Sequence, residues 1–276
     1  MNIAIVTDST ADITPELAAT HDIHVVPAIL IIDGRNLEDG QGISREELYR
    51  QLPTMKSTPT TAVPSTGTFQ HVYEDLIKKG ADKILSIHVS SILSGMYSTA
   101  LLAAKDYGNR VHVIDSCHVT LGLGYQVIAA AQAAKNGLGL SEIQKVIEQI
   151  RNHIHLVAML DTLEFARRSG RISWARYSLS SLLQIKPFLG VEDGKVIRMG
   201  ETRTRKKGIE RLKHMLSELG PLEQLAVLHT NAEADAIHFA EHFKASVENH
   251  PLIINVTSII GVHVGPNGLG FVAVTA

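Results

Sequence analysis

The chain has 276 residues, of which 45% are hydrophobic, so it can bury a substantial core and is not a disordered polypeptide. Its 26 basic and 28 acidic residues give a formal net charge of −2, which excludes a strongly basic nucleic-acid surface. Cys117 is the only cysteine, which excludes an internal disulfide and agrees with a reducing compartment.

The first residues predict a strand rather than a leader peptide. Residues 3–6 are apolar, but no basic segment precedes them. No apolar run along the chain approaches the roughly 20 residues that span a bilayer. We therefore expect a soluble, cytoplasmic protein.

Strands and helices alternate through the first half of the chain. Short apolar runs bounded by turn residues predict strands at 3–6, 25–32, 84–89, 111–114 and 156–160. Capping residues and periodicity predict helices from Thr14 and Ser44, at 68–79, 96–106 and 125–136, and from Ser141. This βαβα order favours a layered α/β domain with a largely parallel sheet. Ligands of such sheets lie at the carboxyl ends of the strands, so the loops at 7–10, 58–67 and 90–95 are expected to converge there.

The second half has a different pattern. Residues 192–195, Glu-Asp-Gly-Lys, predict a hairpin turn between strands at 185–191 and 196–199. Helices are predicted at 204–219 and 232–248, and strands at 225–229, 253–258 and 271–275. The pattern is typical of a mixed α+β domain. We therefore predict two domains, residues 1–160 and 161–276, although terminal strands can cross between them.

Three segments rich in hydroxyl groups and glycine have no matching catalytic base. They are residues 60–67 (Thr-Thr-Ala-Val-Pro-Ser-Thr-Gly), 90–95 (Ser-Ser-Ile-Leu-Ser-Gly) and 261–266 (Gly-Val-His-Val-Gly-Pro). Hydroxyls and backbone N–H groups suit a small anionic head group, whereas single serines and threonines usually act as caps. A helix beginning near Gly95 would add free N–H groups for a carboxylate. The pattern favours a binding protein over a conventional enzyme.

Nucleotide and metal sites fit the sequence less well. No glycine-rich nucleotide motif follows the first strand, and no P-loop is present. His238 and His242 belong to an H-x-x-E-H zinc pattern. Phe239 and Phe243, however, form the core-facing stripe of that helix, which leaves the histidines on its polar side. We therefore predict no metal and no cofactor.

A serine hydrolase that acts on a lipid ester through Ser94 is the alternative from the enzyme class. Ile92 stands where a nucleophile elbow needs glycine. His88 and Asp115 are present, but their order along the chain does not fit the triad of that fold.

Five ordered motifs resemble those of one family from end to end of the chain. They are residues 5–12 (Ile-Val-Thr-Asp-Ser-Thr-Ala-Asp), 61–65 (Thr-Ala-Val-Pro-Ser), 90–95, 169–173 (Ser-Gly-Arg-Ile-Ser) and 261–270. Together they resemble the DegV family, the fatty-acid-binding proteins that partner bacterial fatty acid kinases. The chain departs from the family pattern at Ala62, where a serine is usual, and at Asn267, where a glycine is usual. Because asparagine tolerates a positive φ, the turn at Asn267 is expected to survive.

The resemblance implies a two-domain α/β fold with a long-chain fatty acid between the domains. It implies that Thr61 and Ser94 hold the carboxylate, with the Gly95 N–H nearby, and that His263 and Arg171 complete the site. The expected role is a non-enzymatic carrier that presents the acid to a separate fatty acid kinase, which forms acyl phosphate.

Two points about partners stay open at this stage. A regulatory lipid sensor without a kinase partner is a third hypothesis. The basic cluster of Arg203, Arg205, Lys206 and Lys207 is either a docking site for the kinase or a solvated helix face.

Overall fold

The computed structural model describes residues 1–172 and 185–276, and these residues form two compact units. Unit 1 comprises residues 1–29, 62–152 and 193–195, and unit 2 comprises residues 30–61, 153–172, 185–192 and 196–276. Both units are discontinuous along the chain, whereas the sequence placed residues 30–61 in an N-terminal domain. Ser173, the last residue of the fourth motif, lies outside the described residues.

Helices and strands alternate along most of the described chain. The helices are α1 (Pro15–Thr20), α2 (Arg45–Gln51), α3 (Thr66–Lys78), α4 (Met96–Ala104), α5 (Leu121–Lys135), α6 (Leu140–Asn152), α7 (Glu164–Ser169), α8 (Arg205–Ser217), α9 (Glu233–Phe243) and α10 (Ser258–Val264). The strands are β1 (Ile3–Asp8), β2 (Ile23–Val26), β3 (Ile29–Ile32), β4 (Arg35–Glu38), β5 (Thr60–Ala62), β6 (Lys83–His88), β7 (Val111–Asp115), β8 (Ile154–Met159), β9 (Lys186–Glu192), β10 (Lys195–Thr202), β11 (Leu222–His229), β12 (Leu252–Asn255) and β13 (Leu269–Thr275).

A parallel sheet forms the centre of unit 1. Its strand order is β2-β1-β6-β7, and each neighbouring pair is parallel. β1 and β6 lie in the middle and are almost entirely buried, as their near-continuous apolar runs predict. Helix α5, rich in alanine and mostly buried, packs against β1 and α6. The parallel order brings the loops after β1 and β6 to the same edge of the sheet, as the sequence predicted.

A mixed sheet forms the centre of unit 2. Its order is β10-β9-β8-β13-β11-β12. β13 pairs antiparallel with both β8 and β11, whereas β11 and β12 are parallel. The rings of Phe239 and Phe271 stack in its core with their centroids 6.3 Å apart. The predicted class, a layered α/β fold with a parallel sheet and a mixed second half, is confirmed.

The predicted single strand at 25–32 is wrong, because the chain forms two strands there. β2 ends at Val26 and pairs with β1, and β3 begins at Ile29 and lies in a separate sheet of order β4-β3-β5. Pro27 stands at the break. Proline has no N–H to donate to a strand ladder, so one continuous pairing cannot run through it.

Helix α10 was also missed by the sequence analysis. The strand predicted at 253–258 ends at Asn255, and Thr257 then caps α10 by accepting a hydrogen bond from the Ile259 N–H at 3.4 Å. The predicted loop motif at 261–266 therefore lies largely on a helix.

Two predicted helix ends are also wrong. The cap of α6 is not Ser141, because Glu142 accepts from the Gly139 N–H at 2.8 Å and α6 begins at Leu140. The helix predicted at 232–248 ends at Phe243.

Two further sequence predictions concern the hairpin and the membrane. The turn between β9 and β10 has Asp193 and Gly194 at φ values of 48° and 76°, the pattern of a tight hairpin turn. Across residues 1–172 and 185–276, every helix is too short or too polar to traverse a lipid bilayer.

Candidate functional site

Thr61 and His263, both predicted as ligand-binding residues, lie side by side in unit 2. Thr61 occupies the middle of β5, and His263 is near the end of α10. Thr61 Oγ1 and His263 Nε2 are 3.1 Å apart and form a partly buried hydrogen bond. The first and third hydroxyl-and-glycine segments of the sequence thus meet at Thr61 and His263.

Burial controls the charge of the His263 imidazole. Loss of hydration on burial, together with the positive charge of Arg171, lowers the pKa of His263 to about 4. The second ring nitrogen, Nδ1, is buried and has no hydrogen-bond partner among the described residues. At neutral pH the ring is therefore uncharged and carries a single N–H.

The Thr61–His263 pair has one hydrogen-bond donor to spare in either tautomer of the imidazole. If Nε2 carries the proton, it donates to Thr61 Oγ1 and leaves the threonine O–H free to donate elsewhere. If Nδ1 carries the proton, Thr61 donates to Nε2 and the Nδ1 N–H is free. A ligand that accepts hydrogen bonds without donating them, such as a carboxylate, satisfies this arrangement.

Arg171 follows helix α7 on an exposed stretch of chain. Gly170 ends α7 in the left-handed conformation, with φ of 69°. The guanidinium of Arg171 contacts the Ser169 carbonyl at 3.4 Å, the one acceptor it has within residues 1–172 and 185–276. Its remaining N–H groups donate to no acceptor in those ranges.

Ser94 and Gly95 lie at the start of helix α4 in unit 1. Ser94 Oγ accepts a hydrogen bond from the Met96 N–H at 3.3 Å, but the N-cap position of the helix is Gly95, one residue later. Its own O–H, and the Gly95 N–H, donate to no acceptor in the described part of the chain. The contact with Met96 and a ligand-binding role are therefore compatible, because the contact uses the Ser94 oxygen as acceptor only.

The neighbouring hydroxyls are used within unit 1. Ser90 Oγ donates to the Gly194 carbonyl at 2.8 Å, and Ser65 Oγ accepts from the Thr68 N–H at 3.2 Å as the cap of α3. These serines have the structural roles that isolated serines usually have.

The carboxylate of Asp8, which sequence analysis did not single out, organises the sheet edge that precedes Ser94. Asp8 is fully buried at the end of β1. Its Oδ2 accepts from His88 Nδ1 at 2.9 Å and from the Val89 N–H at 3.1 Å. Its Oδ1 accepts from the N–H and the hydroxyl of Thr10 at 3.1 and 2.5 Å. The only sequence signal was a carboxylate directly after an apolar strand.

A serine, a histidine and an aspartate are aligned in unit 1, but not at Ser94. Ser86 Oγ lies 2.7 Å from His88 Nε2, and the other ring nitrogen of His88 meets Asp8. Ser86, His88 and Asp8 are all fully buried, so a substrate has no access to this serine. No described imidazole is hydrogen-bonded to Ser94.

A polar cavity of about 330 Å³ lies in unit 2 beside the start of α9. Arg205 crosses it and pairs with Asp235 at 2.6 Å, and its guanidinium also donates to the Asn267 carbonyl. Such a lining does not suit an acyl chain. Within the predicted basic cluster Arg205 is ion-paired and half-buried, whereas Arg203, Lys206 and Lys207 are exposed.

Metal ligands do not assemble in the described ranges. His238, Glu241 and His242 are exposed on α9, while Phe239 and Phe243 face the core. No group of three or more candidate ligands is found among residues 1–172 and 185–276.

The two departures from the family pattern have different surroundings. Asn267 adopts φ of 62°, so the turn survives as expected, and its N–H donates to the Thr230 carbonyl at 2.6 Å. Ala62 is exposed next to Thr61.

Comparison with known proteins identifies relatives along the full chain. The DegV family model, described as an uncharacterised protein family, matches residues 2–276. A DegV domain-containing protein of Deinococcus radiodurans is 34% identical over 279 residues, covering 98% of this chain and 97% of that protein.

Two solved structures share the fold over their whole length. A DegV family protein from Thermus thermophilus, studied for fatty acid binding, aligns with a TM-score of 0.92 and 30% identity, covering 100% of both chains. DegV from Bacillus subtilis, a fatty acid binding protein, aligns with a TM-score of 0.88 and 32% identity, also covering 100% of both chains.

Proposed function

The chain belongs to the DegV family, and we propose that it binds a long-chain fatty acid. In this proposal the carboxylate is held by Thr61, His263, Arg171, Ser94 and the Gly95 N–H. The observation that carries the proposal is the Thr61–His263 hydrogen bond, because this pair of side chains keeps one further donor for a ligand that accepts hydrogen bonds. The fatty acid binding of the Thermus and Bacillus proteins supports the same ligand class.

The acyl chain supplies most of the affinity in this proposal. Burial of each methylene contributes about 0.8 kcal/mol, so a tail of about 14 methylenes offers on the order of 11 kcal/mol before the costs of association. Each charge-assisted hydrogen bond at the head group adds only about 1.5–3 kcal/mol. The polar residues then orient the acid and select for a carboxylate.

We further propose that the bound acid is a substrate for a separate fatty acid kinase in the cytoplasm. The kinase would transfer the terminal phosphoryl group of a nucleoside triphosphate to a carboxylate oxygen, which yields acyl phosphate. The protein itself would act as the carrier and perform no bond-breaking step. The exposed Arg203, Lys206 and Lys207 would be available to such a partner, but the ion-paired Arg205 would not.

Lipid identification tests the ligand. Protein purified from cells is measured by native mass spectrometry, then denatured and extracted, and the released lipid is identified. We expect a long-chain fatty acid at one equivalent, and protein that neither contains nor takes up fatty acid contradicts the proposal.

Two further assays separate the alternatives. A fluorophosphonate probe that labels Ser94 covalently would favour the lipid-ester hydrolase over the carrier. Acyl phosphate formation, measured with and without the cognate kinase, separates the carrier from a lipid sensor that has no kinase partner.

A further inference from the structure

Helix α2 is attached to the three residues that lead into α10, the helix of His263. Tyr49 Oη donates to the Val256 carbonyl at 2.7 Å and lies 3.3 Å from the Thr257 carbonyl. Arg45 donates to the Asn255 carbonyl, and the Asn255 side-chain amide donates to Glu46 Oε1 at 2.9 Å. One face of α2 therefore fixes the backbone from which α10 starts.

Two aromatic rings also lie against Gly261 of α10 and Gly265, the residue that ends the helix. A Cβ atom on Gly261 would collide with the ring and hydroxyl of Tyr49, and a Cβ atom on Gly265 would collide with the ring of Phe165. Tyr49 and Phe165 are both buried, at 1% and 6% exposure, so neither ring has room to retreat. The helix is therefore held at two points four residues apart, one turn of helix.

His263 lies between these two points. Its Nε2 meets Thr61 Oγ1 at 3.1 Å, a distance that a shift of α10 by one ångström would break or crowd. The Tyr49 ring reaches this position only because residue 261 has no side chain. This gives Gly261 of the third hydroxyl-and-glycine segment a physical role.

We propose that Tyr49 is a positioning residue that holds α10 so that His263 and Thr61 form the head-group site. This inference rests on the fatty-acid-binding function proposed above and names a residue outside the motifs that indicated it. Tyr49 acts through His263 and does not itself contact the ligand.

The variant Tyr49→Phe tests this role because it keeps the ring and removes the hydroxyl. Binding of palmitate is measured by titration calorimetry, and we expect about tenfold weaker binding. Tyr107→Phe is the matched control, since Tyr107 also donates to a backbone carbonyl, that of Gln70 at 3.1 Å, but in unit 1. The control is expected to bind palmitate as the native chain does.

A titration of His263 by NMR provides a readout that general destabilisation does not move. In the native chain the pKa of His263 is about 4, with Arg171 as the nearby charge. If Tyr49→Phe loosens α10 and admits water, this pKa rises toward its usual value. Gly261→Ala, which displaces the ring, should raise it further.

A double-mutant cycle completes the test. In a His263→Ala background, Tyr49→Phe should cause no additional loss of palmitate affinity, because its effect passes through His263. An equal loss in both backgrounds, or an unchanged pKa of His263, overturns the positioning role. If the native chain binds no fatty acid, the proposed function fails, and the titration alone still decides whether Tyr49 places His263.

Discussion

Thr61 Oγ1 and His263 Nε2 are hydrogen-bonded at 3.1 Å although 202 positions separate the two residues along the chain. The contact joins the edge strand β5 to the helix α10 within unit 2. Because the imidazole is uncharged at neutral pH, the pair holds one donor that nothing else in the described residues uses. The head-group chemistry proposed above follows from this single contact.

The first prediction concerns the Thr61 hydroxyl. Thr61→Ala removes the donor and should weaken binding of a long-chain fatty acid by about 10–100-fold, the equivalent of one charge-assisted hydrogen bond. Thr60→Ala is the control, because neighbouring residues of a strand face opposite sides and Thr60 is exposed. Equal affinity of the two variants in titration calorimetry would show that Thr61 does not contact the acid.

The second prediction concerns Ser94, which combines two roles. Ser94→Ala removes the acceptor of the Met96 N–H at the start of α4 and should lower the free energy of unfolding by about 1 kcal/mol. It should also weaken fatty acid binding, whereas the exposed Ser91→Ala should do neither. A Thr61→Ala/Ser94→Ala double variant should be purified without its lipid or fail to deliver it. Urea unfolding and lipid extraction check the two effects separately, and retention of lipid by the double variant contradicts the assignment.

The third prediction concerns stability in acid. The folded pKa of His263, about 4, lies below the usual value of 6.5, so the unfolded chain binds this proton first. The stability that the neutral ring allows is fully present above pH 6.5 and is lost as the pH falls toward 4. The loss amounts to roughly 3 kcal/mol for a shift of this size.

Urea unfolding of the native chain and of His263→Gln at pH 7 and pH 4.5 measures this effect. Other histidines with lowered pKa values, such as His229 and His155, are present in both proteins and cancel in the comparison. We expect the native chain to lose more stability than His263→Gln. Identical losses would show that His263 titrates normally.

The fourth prediction concerns Asp8. Asp8→Ala leaves the donors of His88, Val89 and Thr10 buried without an acceptor, which should cost about 3–5 kcal/mol of unfolding free energy. Asp82→Ala is the control, because Asp82 is exposed and its carboxylate accepts, among the described residues, one hydrogen bond, from the Asn2 N–H. A loss below about 1 kcal/mol for Asp8→Ala would mean that water replaces the carboxylate.

Local sequence patterns predicted most of the strands and helices, because the spacing of apolar residues and the capping residues reflect interactions between positions close in the sequence. The motifs also selected Thr61 and His263 individually. Their contact could not be predicted, since it depends on how β5 and α10 pack. Helix α10 itself was missed because Ser-Ile-Ile-Gly-Val-His-Val is rich in β-branched residues, whose local preference is for strands.

Two other differences between the sequence predictions and the structure had different causes. The break at Pro27 had a clear signal, a residue without an N–H inside a predicted strand. The role of Asp8 had almost none, because its four donors come from two strand ends and a turn that only the folded sheet assembles. Backbone-mediated contacts of this kind leave no spacing pattern in the sequence.

Gly261 of α10 and Gly265 at its end limit which amino-acid substitutions this part of the chain tolerates. Any side chain at residue 261 or 265 must displace a buried ring. A library of random substitutions scored for lipid retention should therefore contain few variants at these two positions. Val262, between them, is buried at 1% exposure, so only changes of similar volume should be tolerated there. The tolerance map should therefore show two intolerant positions one turn apart. A smaller side chain in place of Tyr49 should restore variation at residue 261, whereas residue 265, at φ of 80°, should stay restricted to glycine whatever side chain occupies position 165.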